Sequence, residues 1–335
     1  MINTTSPKRH KMALALGILL IAILPVLLSV VTPPAIPLSS LWSNSLDNNH
    51  YIFFNLRLPK HLLAFVVGAA LSLSGTSFQS LLKNPLADPY ILGVSGGAAL
   101  GYVLAVVFGL PTVLMPIAGF AAALASLFLI YSLARTRGTL QTVNLLLTGI
   151  IFNSFSFAII LMVNAIASFG QSQQILYLLL GSVEPIGWGQ LLSVTSFIFV
   201  ALTVLFWRAR ELDLMALGDE EAFHLGVDVV REKKIIFITT SALVGASVSI
   251  CGLIGFVGLF VPHLMRLFFG AAHKRLLPAS AIFGGIFLML SDFLASRLFA
   301  WDDFQTRLPV GVITALIGAP AFIFLLKRQA NRSAS

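Results

Sequence analysis

The chain has 335 residues, of which 58% are hydrophobic and only 10% charged, with a mean hydropathy of +0.95 and a formal charge of +8. This composition excludes a water-soluble globular protein, because one soluble core cannot enclose so much apolar surface. It predicts an all-α polytopic membrane protein. The single cysteine, Cys251, excludes an internal disulfide framework and any multi-cysteine metal site.

Apolar segments follow one another along almost the whole chain. A helix that crosses a bilayer needs about 20 apolar residues, and nine segments approach or meet this length. They lie near 12–31, 61–82, 90–108, 112–133, 141–166, 190–207, 235–256, 278–298 and 308–326. The first has a basic flank and no small-residue cleavage site, so it predicts a retained span and not a signal peptide.

A tenth segment, "GLFVPHLMRLFFG" (258–270), is too short to span alone, and the basic residues decide how it is interpreted. Cytoplasmic loops accumulate Lys and Arg. If the segment crosses, sixteen of the 21 Lys and Arg residues lie inside, and both termini are cytoplasmic. The sequence therefore predicts about ten crossings. This topology accounts for the charge of +8, and no basic cluster interleaved with aromatics indicates a nucleic-acid partner.

An internal repeat supports this topology. "VGAALSLSG" (67–75) matches "VGASVSICG" (244–252) at an offset that also aligns two prolines and two glycines, Pro85 with Pro262 and Gly93 with Gly270. The matched spans are five apart, so the halves, roughly 59–166 and 235–327 of one transmembrane domain (1–335), have opposite orientations. Inverted repeats are typical of transporters, although small residues also match through helix packing alone.

A transporter needs a source of energy, and this sequence carries no P-loop, since it contains no Gly-Lys dipeptide. The chain is therefore expected to bind no nucleotide or other cofactor. Proton coupling usually requires carboxylates within spans, and Asp292 is the one clear case. We interpret Asp292 as the partner of Arg266 in a structural ion pair.

The loop 208–234 contains an acidic stretch with exposed apolar residues, "DLMALGDEEAFHLGV" (213–227). It predicts two short helices, with Asp219 as an N-cap, Glu220 and Glu221 in a first turn and Gly226 as a stop. Several large apolar residues would be left in water: Leu214, Met215, Leu217, Phe223 and Leu225. A helix lying on the inner leaflet is one alternative. The acidic residues disfavour it because that leaflet is negative, so a protein partner is preferred.

These residues resemble a known family over nearly the full length of the chain. The stretches 56–101, 215–227, 252–278 and 308–328 are similar to FecCD-type permeases, the membrane subunits of ATP-binding-cassette importers for iron chelates and vitamin B12. The resemblance implies the type II importer permease fold and paired coupling helices that dock on a separate cytoplasmic ATPase, which binds ATP and Mg. It also implies a periplasmic binding protein and a second copy of this chain.

The resemblance also assigns residues to roles, and no catalytic or metal site is among them. The ATPase-coupling residues are Leu214, Leu217, Gly218, Asp219, Glu220, Glu221, Ala222, Leu225 and Gly226. The residues that dock the binding protein are Arg57, Lys60 and Arg297. The inner gate is formed by Thr142, Val143 and Asn144, of which Val143 and Asn144 depart from the family pattern.

The cargo and two rival functions stay open at this point. An iron chelate, either a ferric siderophore or haem, is the preferred substrate, and vitamin B12 or another corrinoid is the alternative. One rival is a gradient-driven secondary carrier, which the inverted repeat supports. The other is an intramembrane serine protease, suggested by "GVSG" (93–96), which contains Ser95, and by His263 as a base.

Overall fold

The computed structural model describes residues 7–32, 35–37, 48–136, 139–140, 142–298 and 308–333. Its helices are α1 (Pro7–Val31), α2 (Asn48–Tyr51), α3 (Leu58–Leu81), α4 (Val94–Val107), α5 (Leu114–Ala134), α6 (Thr142–Ile166), α7 (Phe169–Leu180), α8 (Trp188–Trp207), α9 (Ala209–Met215), α10 (Asp219–His224), α11 (Val229–Cys251), α12 (Val257–Phe269), α13 (His273–Arg297) and α14 (Val310–Ser333). A π-helical segment, Ile52–Arg57, joins α2 to α3, and a 3₁₀ turn, Pro89–Leu92, precedes α4. A small hairpin, β1 (Arg135–Thr136) with β2 (Thr139–Leu140), joins α5 to α6.

Each of the ten predicted spans corresponds to a helix, and the chain has an all-α membrane fold. Among the described residues, six helices are long and apolar enough to cross a membrane by themselves, and α1 makes seven. The helices α4, α12 and α14 are shorter in their apolar part. Pro25 lies inside α1, which bends by 44° near Ala22. Proline removes the hydrogen bond to the carbonyl four residues earlier, which is the physical cause of such a bend.

Helix α3 lies at the centre of the molecule, and every residue from Val67 to Leu81 is buried. Small residues allow this, because they let neighbouring backbones approach closely. A Cβ atom at Gly68 would overlap the carbonyl oxygen of Gly284 in α13, and one at Gly75 would overlap that of Gly258 in α12. The polar and apolar residues of α3 are therefore both enclosed by protein, unlike those of α5, α6 and α8, which are largely exposed.

Helices α3 and α13 run antiparallel along their full length. At one end, Lys60 forms an ion pair with Asp292, and at the other Ser80 contacts His273. We call the end with Lys60 the outer end and the end with Ser80 the inner end, following the predicted topology. Helix α11 is also antiparallel to α3, as the inverted repeat requires, since Ser74 donates to the Thr240 carbonyl and Phe78 packs on Phe237.

The sequence analysis missed α7, which lies in a part of the chain assigned to no span. It begins near the end of α4, where Gln171 donates to the carbonyl of Val106. It ends at Gly181, whose φ is +73°, and the carbonyl of Leu178 in its last turn accepts the amide of Leu253. The chain then returns to the outer end, where the Trp188 indole donates to the carbonyl of Phe54. Helix α7 has 12 residues, too few for the length of a span.

Helix α12 covers nearly all of the short segment 258–270. The chain turns at Gly252, with φ +71°, and enters α12 through Phe256, with φ +68°. Gln79 of α3 donates to the carbonyl of Leu259 near the start of α12, and α13 begins at His273 beside Ser80 at the inner end. Helix α11 runs from the inner end towards the outer end, whereas α13 starts again at the inner end. Segment 252–270 therefore returns the chain to the inner end.

Candidate functional site

Two short helices, α9 and α10, form the inner surface that the sequence predicted. One side of this pair packs against the spans, with Leu212, Met215 and Ala222 buried. The opposite side exposes three large apolar side chains: Leu217 is 67% exposed, Phe223 69% and Leu225 55%. The predicted exposure of Met215 is wrong, because the first helix turns that side chain inward, and Leu214 is half-buried. We call Leu217, Phe223 and Leu225 the apolar inner patch.

Asp219 has a different role from the predicted N-cap. The N-cap position of α10 is Gly218, and no side chain caps this end by a hydrogen bond. The carboxylate of Asp219 instead lies 2.9 Å from Lys83, just after α3, and 2.5 Å from Lys233 of α11. Burial raises the pKa of Asp219, but the hydrogen bonds and charges of the two lysines outweigh it and hold the pKa below its usual value. The strong cations nearby draw the side chain away from the helix end.

Glycine is favoured at positions 218 and 226 for two different structural reasons. A Cβ atom at Gly218 would overlap the carboxylate of Glu221, which folds back over the start of α10. Gly226 follows α10 with φ +85°, and its amide donates to the carbonyl of Phe223. This is the left-handed stop that the sequence predicted at Gly226. Glu220 is exposed beside the apolar inner patch.

A second anchor, which sequence reasoning missed, holds α9 to the spans. The carboxylate of Asp213 lies 2.6 Å from Nδ1 of His273 and also accepts the backbone amide of His273 at 2.9 Å. Burial raises the pKa of Asp213, but the hydrogen bonds and charge of His273, with the charge of Lys274, lower it overall. On the other side of the ring, Nε2 lies 2.6 Å from Oγ of Ser80. No sequence pattern joins these three residues, which are 60 or more positions apart.

At the outer end, two of the predicted docking cations hold the end of α1. Nη1 of Arg57 donates to the carbonyls of Ser29 and Thr32, at 3.0 and 2.7 Å. Nη2 of Arg297 donates to the carbonyl of Val31 at 3.0 Å, and its guanidinium lies over the Phe293 ring. Cations are favourable at a helix C-terminus, where carbonyls lack partners. Both arginines remain partly exposed.

Lys60 and Asp292 require two corrections. Nζ of Lys60 lies 2.8 Å from Asp292, and its side chain is only 11% exposed, so Lys60 is an internal partner and not a surface docking residue. The predicted pair of Arg266 with Asp292 is wrong. Arg266 lies in the last turn of α12, next to the inner start of α13. Asp292 lies about 28 Å farther along α13, at its outer end.

Comparison with known proteins identifies the family. Residues 16–328 match the FecCD transport family. The chain belongs to the FecCD transport family. The hemin transport system permease protein HmuU of Yersinia pestis is 40% identical over 325 residues, which cover 94% of this chain and 96% of that protein. The vitamin B12 import system permease protein BtuC of Vibrio parahaemolyticus is 40% identical over 284 residues, covering 83% of both chains.

A further relative and a solved structure agree with this family. The Fe(3+) dicitrate transport system permease protein FecD of Escherichia coli is 36% identical over 312 residues, covering 92% of this chain and 95% of FecD. The inward-facing structure of a metal-chelate type ABC transporter aligns with a TM-score of 0.85 at 29% identity, covering 95% of this chain and 99% of that one. The chain is therefore a multi-pass transport subunit, an ABC importer permease of the FecCD family.

The predicted gate of this FecCD permease lies at the start of α6, directly after the hairpin β1–β2. Val143 is 64% exposed and Asn144 is half-buried. The side chain of Thr142 lies outside the described residues. The first turn of α6 lies at the inner end, because α5 runs from the outer end to the hairpin and α6 begins directly after the hairpin.

Two rival functions lose their structural basis in this FecCD permease. Ser95 is buried and donates to the carbonyl of Tyr90, while His263 is buried against Phe322. No hydrogen bond joins Ser95 to His263 in the described part of the chain, so the two do not form a nucleophile and its base. Asp292, the carboxylate that a proton-coupled carrier would use, is bound to Lys60. Across the described ranges, no group of three His, Cys, Asp or Glu residues is placed to hold a metal ion.

Proposed function

We propose that this permease imports an organic chelate across the inner membrane, driven by a separate cytoplasmic ATPase. The apolar inner patch is the observation that carries this proposal, because Leu217, Phe223 and Leu225 are three large, exposed apolar side chains close together in the sequence. The helices that carry them are anchored to the spans through Asp213 and Asp219. Exposed patches of this kind mark protein interfaces. The sequence has no P-loop of its own, so ATP and Mg would bind to the partner.

The cargo of the proposed importer is haem, a ferric chelate or a corrinoid. Relatives named for hemin, vitamin B12 and ferric dicitrate are similarly close to this chain, so the corrinoid alternative has as much support as the iron chelate. A chelate handed over whole needs no metal ligands from the permease. Each cargo would arrive on a periplasmic binding protein.

We assign the remaining predicted residues within the same proposal. The coupling residues Leu214, Leu217, Gly218, Asp219, Glu220, Glu221, Ala222, Leu225 and Gly226 either form the docking surface or set its shape. Thr142, Val143 and Asn144 at the start of α6 form the inner gate. Each chain supplies one pair of coupling helices, and the ATPase works as a pair, so two copies of the permease assemble. Both termini are cytoplasmic in this arrangement.

The first experiment is to purify the tagged chain in mild detergent from native membranes and identify its companions by mass spectrometry. We expect an ATPase and, when ligand is present, a periplasmic binding protein. The binding protein is then tested with haem, ferric citrate and cobalamin, and uptake of the tightest ligand is measured in proteoliposomes with and without ATP. Uptake that continues without the ATPase would overturn the proposal in favour of a secondary carrier.

Docking of the binding protein is tested at Arg57 and Arg297. Reversing either charge should weaken the affinity for the binding protein, because interfaces between oppositely charged surfaces are sensitive to rim charges. Because both arginines also hold the end of α1, each charge reversal is compared with the neutral change to Gln. Lys234→Glu, at the inner end, is the matched control. Equal affinity for all variants would remove these two residues from the docking surface.

A further inference from the structure

A chain of hydrogen bonds links three elements at the inner end: Asp213 of α9, which is 37% exposed, and the buried His273 of α13 and Ser80 of α3. His273 is 2% exposed and Ser80 5% exposed. The ring of His273 spans the gap between α9 and α3, with Nδ1 2.6 Å from Asp213 and Nε2 2.6 Å from Ser80. The same carboxylate oxygen accepts the backbone amide of His273. We call these three residues the inner bridge.

The hydrogens of the inner bridge can be counted. The ionised carboxylate of Asp213 only accepts, so Nδ1 of His273 carries a hydrogen. Oγ of Ser80 also lies 3.2 Å from the carbonyl of Thr76, which can only accept. Both contacts of Ser80 are satisfied when its hydroxyl donates to Thr76 and Nε2 of His273 donates to Oγ. A neutral ring would instead accept the Ser80 hydroxyl at Nε2. In both cases Nδ1 of His273 donates to the ionised carboxylate of Asp213, which makes a charge-assisted bond.

The helices that the inner bridge joins form a stiff unit. In the middle of α3 and α13, Gly68 and Gly284 bring the two backbones into contact, and such a close-packed interface shifts as a whole rather than deforming. At the outer end, the ion pair of Lys60 with Asp292 ties the same two helices together. A displacement applied at one end of the α3–α13 pair therefore reaches the other.

Both coupling helices reach this unit at its inner end. Helix α9 does so through Asp213 and His273, and α10 does so through Asp219, which pairs with Lys83 just after the end of α3. We propose that His273 is a positioning residue of the transport cycle, which makes α9 move together with the α3–α13 pair. This inference rests on the proposed function, because the force on α9 and α10 would come from the ATPase.

The test uses the complete complex of permease, ATPase and binding protein in proteoliposomes. The variants are His273→Ala, Asp213→Ala, Ser80→Ala and the double variant of His273 and Asp213, with Asp228→Ala as a control that removes a carboxylate from the same loop. The readout is the number of ATP molecules hydrolysed per substrate transported, measured on complexes that still contain the ATPase. A residue that serves folding alone would lower the yield of complex and leave this ratio unchanged.

We expect His273→Ala and Asp213→Ala to raise this ratio on the order of tenfold, the size of a typical coupling between sites. The double variant should be no worse than either single one, because both remove the same link. His273→Asn, which keeps an N–H donor in the place of Nδ1, should recover part of the coupling. The Asp228→Ala complex should match the wild type.

Three outcomes would overturn the inference. They are an unchanged ratio in His273→Ala, additive effects in the double variant, or no recovery with His273→Asn. If His273→Ala does not yield a complex, Ser80→Ala is the deciding variant, since it removes only one hydroxyl. A wild-type ratio of ATP hydrolysed to substrate transported in Ser80→Ala would overturn the proposed link to α3. Failure of the proposed function is distinct, because the wild-type permease would then bind no ATPase or transport without one.

Discussion

The amino group of Lys60 lies 2.8 Å from the carboxylate of Asp292, and the two side chains are 11% and 6% exposed. This ion pair joins the outer ends of α3 and α13, opposite the bridge that His273 makes at the inner ends. A charge removed from water is costly unless it is paired. Removing either side chain of the pair should therefore lower the free energy of unfolding.

Lys60→Met should destabilise the permease by about 3–5 kcal/mol, because it takes the Lys60 ammonium away from the buried carboxylate of Asp292. The double variant Lys60→Met with Asp292→Leu should recover most of this loss, since two apolar side chains replace the two charges. Thermal unfolding of the purified protein in one detergent measures both. Arg266→Met is the control, and it should have a smaller effect. Equal loss in the single and double variants would contradict the pairing.

Substitutions in the apolar inner patch should weaken binding of the ATPase without destabilising the permease. Phe223→Ser and Leu217→Ser should each weaken association with the ATPase at least tenfold, about 1.4 kcal/mol. Both side chains are already exposed, so the free energy of unfolding should change by less than about 0.5 kcal/mol. Phe108→Ser, at the opposite end of the molecule and 77% exposed, is the matched control. Affinity that is unchanged in both patch variants would exclude the patch as the docking surface.

The two lysines around Asp219 should contribute unequally. Lys83 is 38% exposed and Lys233 only 8%. Lys83→Ala should therefore cost at most about 1 kcal/mol, as for an exposed ion pair. Asp219→Ala should cost more, about 1–3 kcal/mol, because it leaves the buried Lys233 without this acceptor. The free energy of unfolding of both variants, measured at low and high salt, checks this ranking. A larger loss of stability in Lys83→Ala than in Asp219→Ala would contradict it.

The glycine contact between α3 and α13 should not tolerate a side chain. Gly68→Val should destabilise the permease by more than about 3 kcal/mol or prevent its assembly, because the new atoms would overlap the carbonyl of Gly284. Gly189→Ala, in α8, should be tolerated, since a Cβ atom there meets nothing within 4 Å. The amount of folded protein recovered after gel filtration measures both. Equal recovery would show that the two helices can separate.

Hydropathy and charge were sufficient to predict the helices that cross the membrane, but they did not predict α7. The run of 12 residues in α7 is too short to be recognised by hydropathy, and it includes Gln171 and Gln174, whose side chains reach α4 and α5. The stop at Gly226 was predictable because φ +85° is a local property that favours glycine. The capping role of Asp219 was wrong because Lys83 and Lys233 come from distant parts of the chain.

The sequence by itself determined that this protein is an all-α membrane protein with about ten spans, with an acidic loop on one side and a FecCD resemblance along its length. Hydropathy and the distribution of Lys and Arg act over windows of about 20 residues, and both can be read without a structure. Only the tertiary structure decided that Asp292 pairs with Lys60 and that His273 bridges Asp213 and Ser80. An ion pair or hydrogen bond acts over about 3 Å, so its partner depends on which helices pack together.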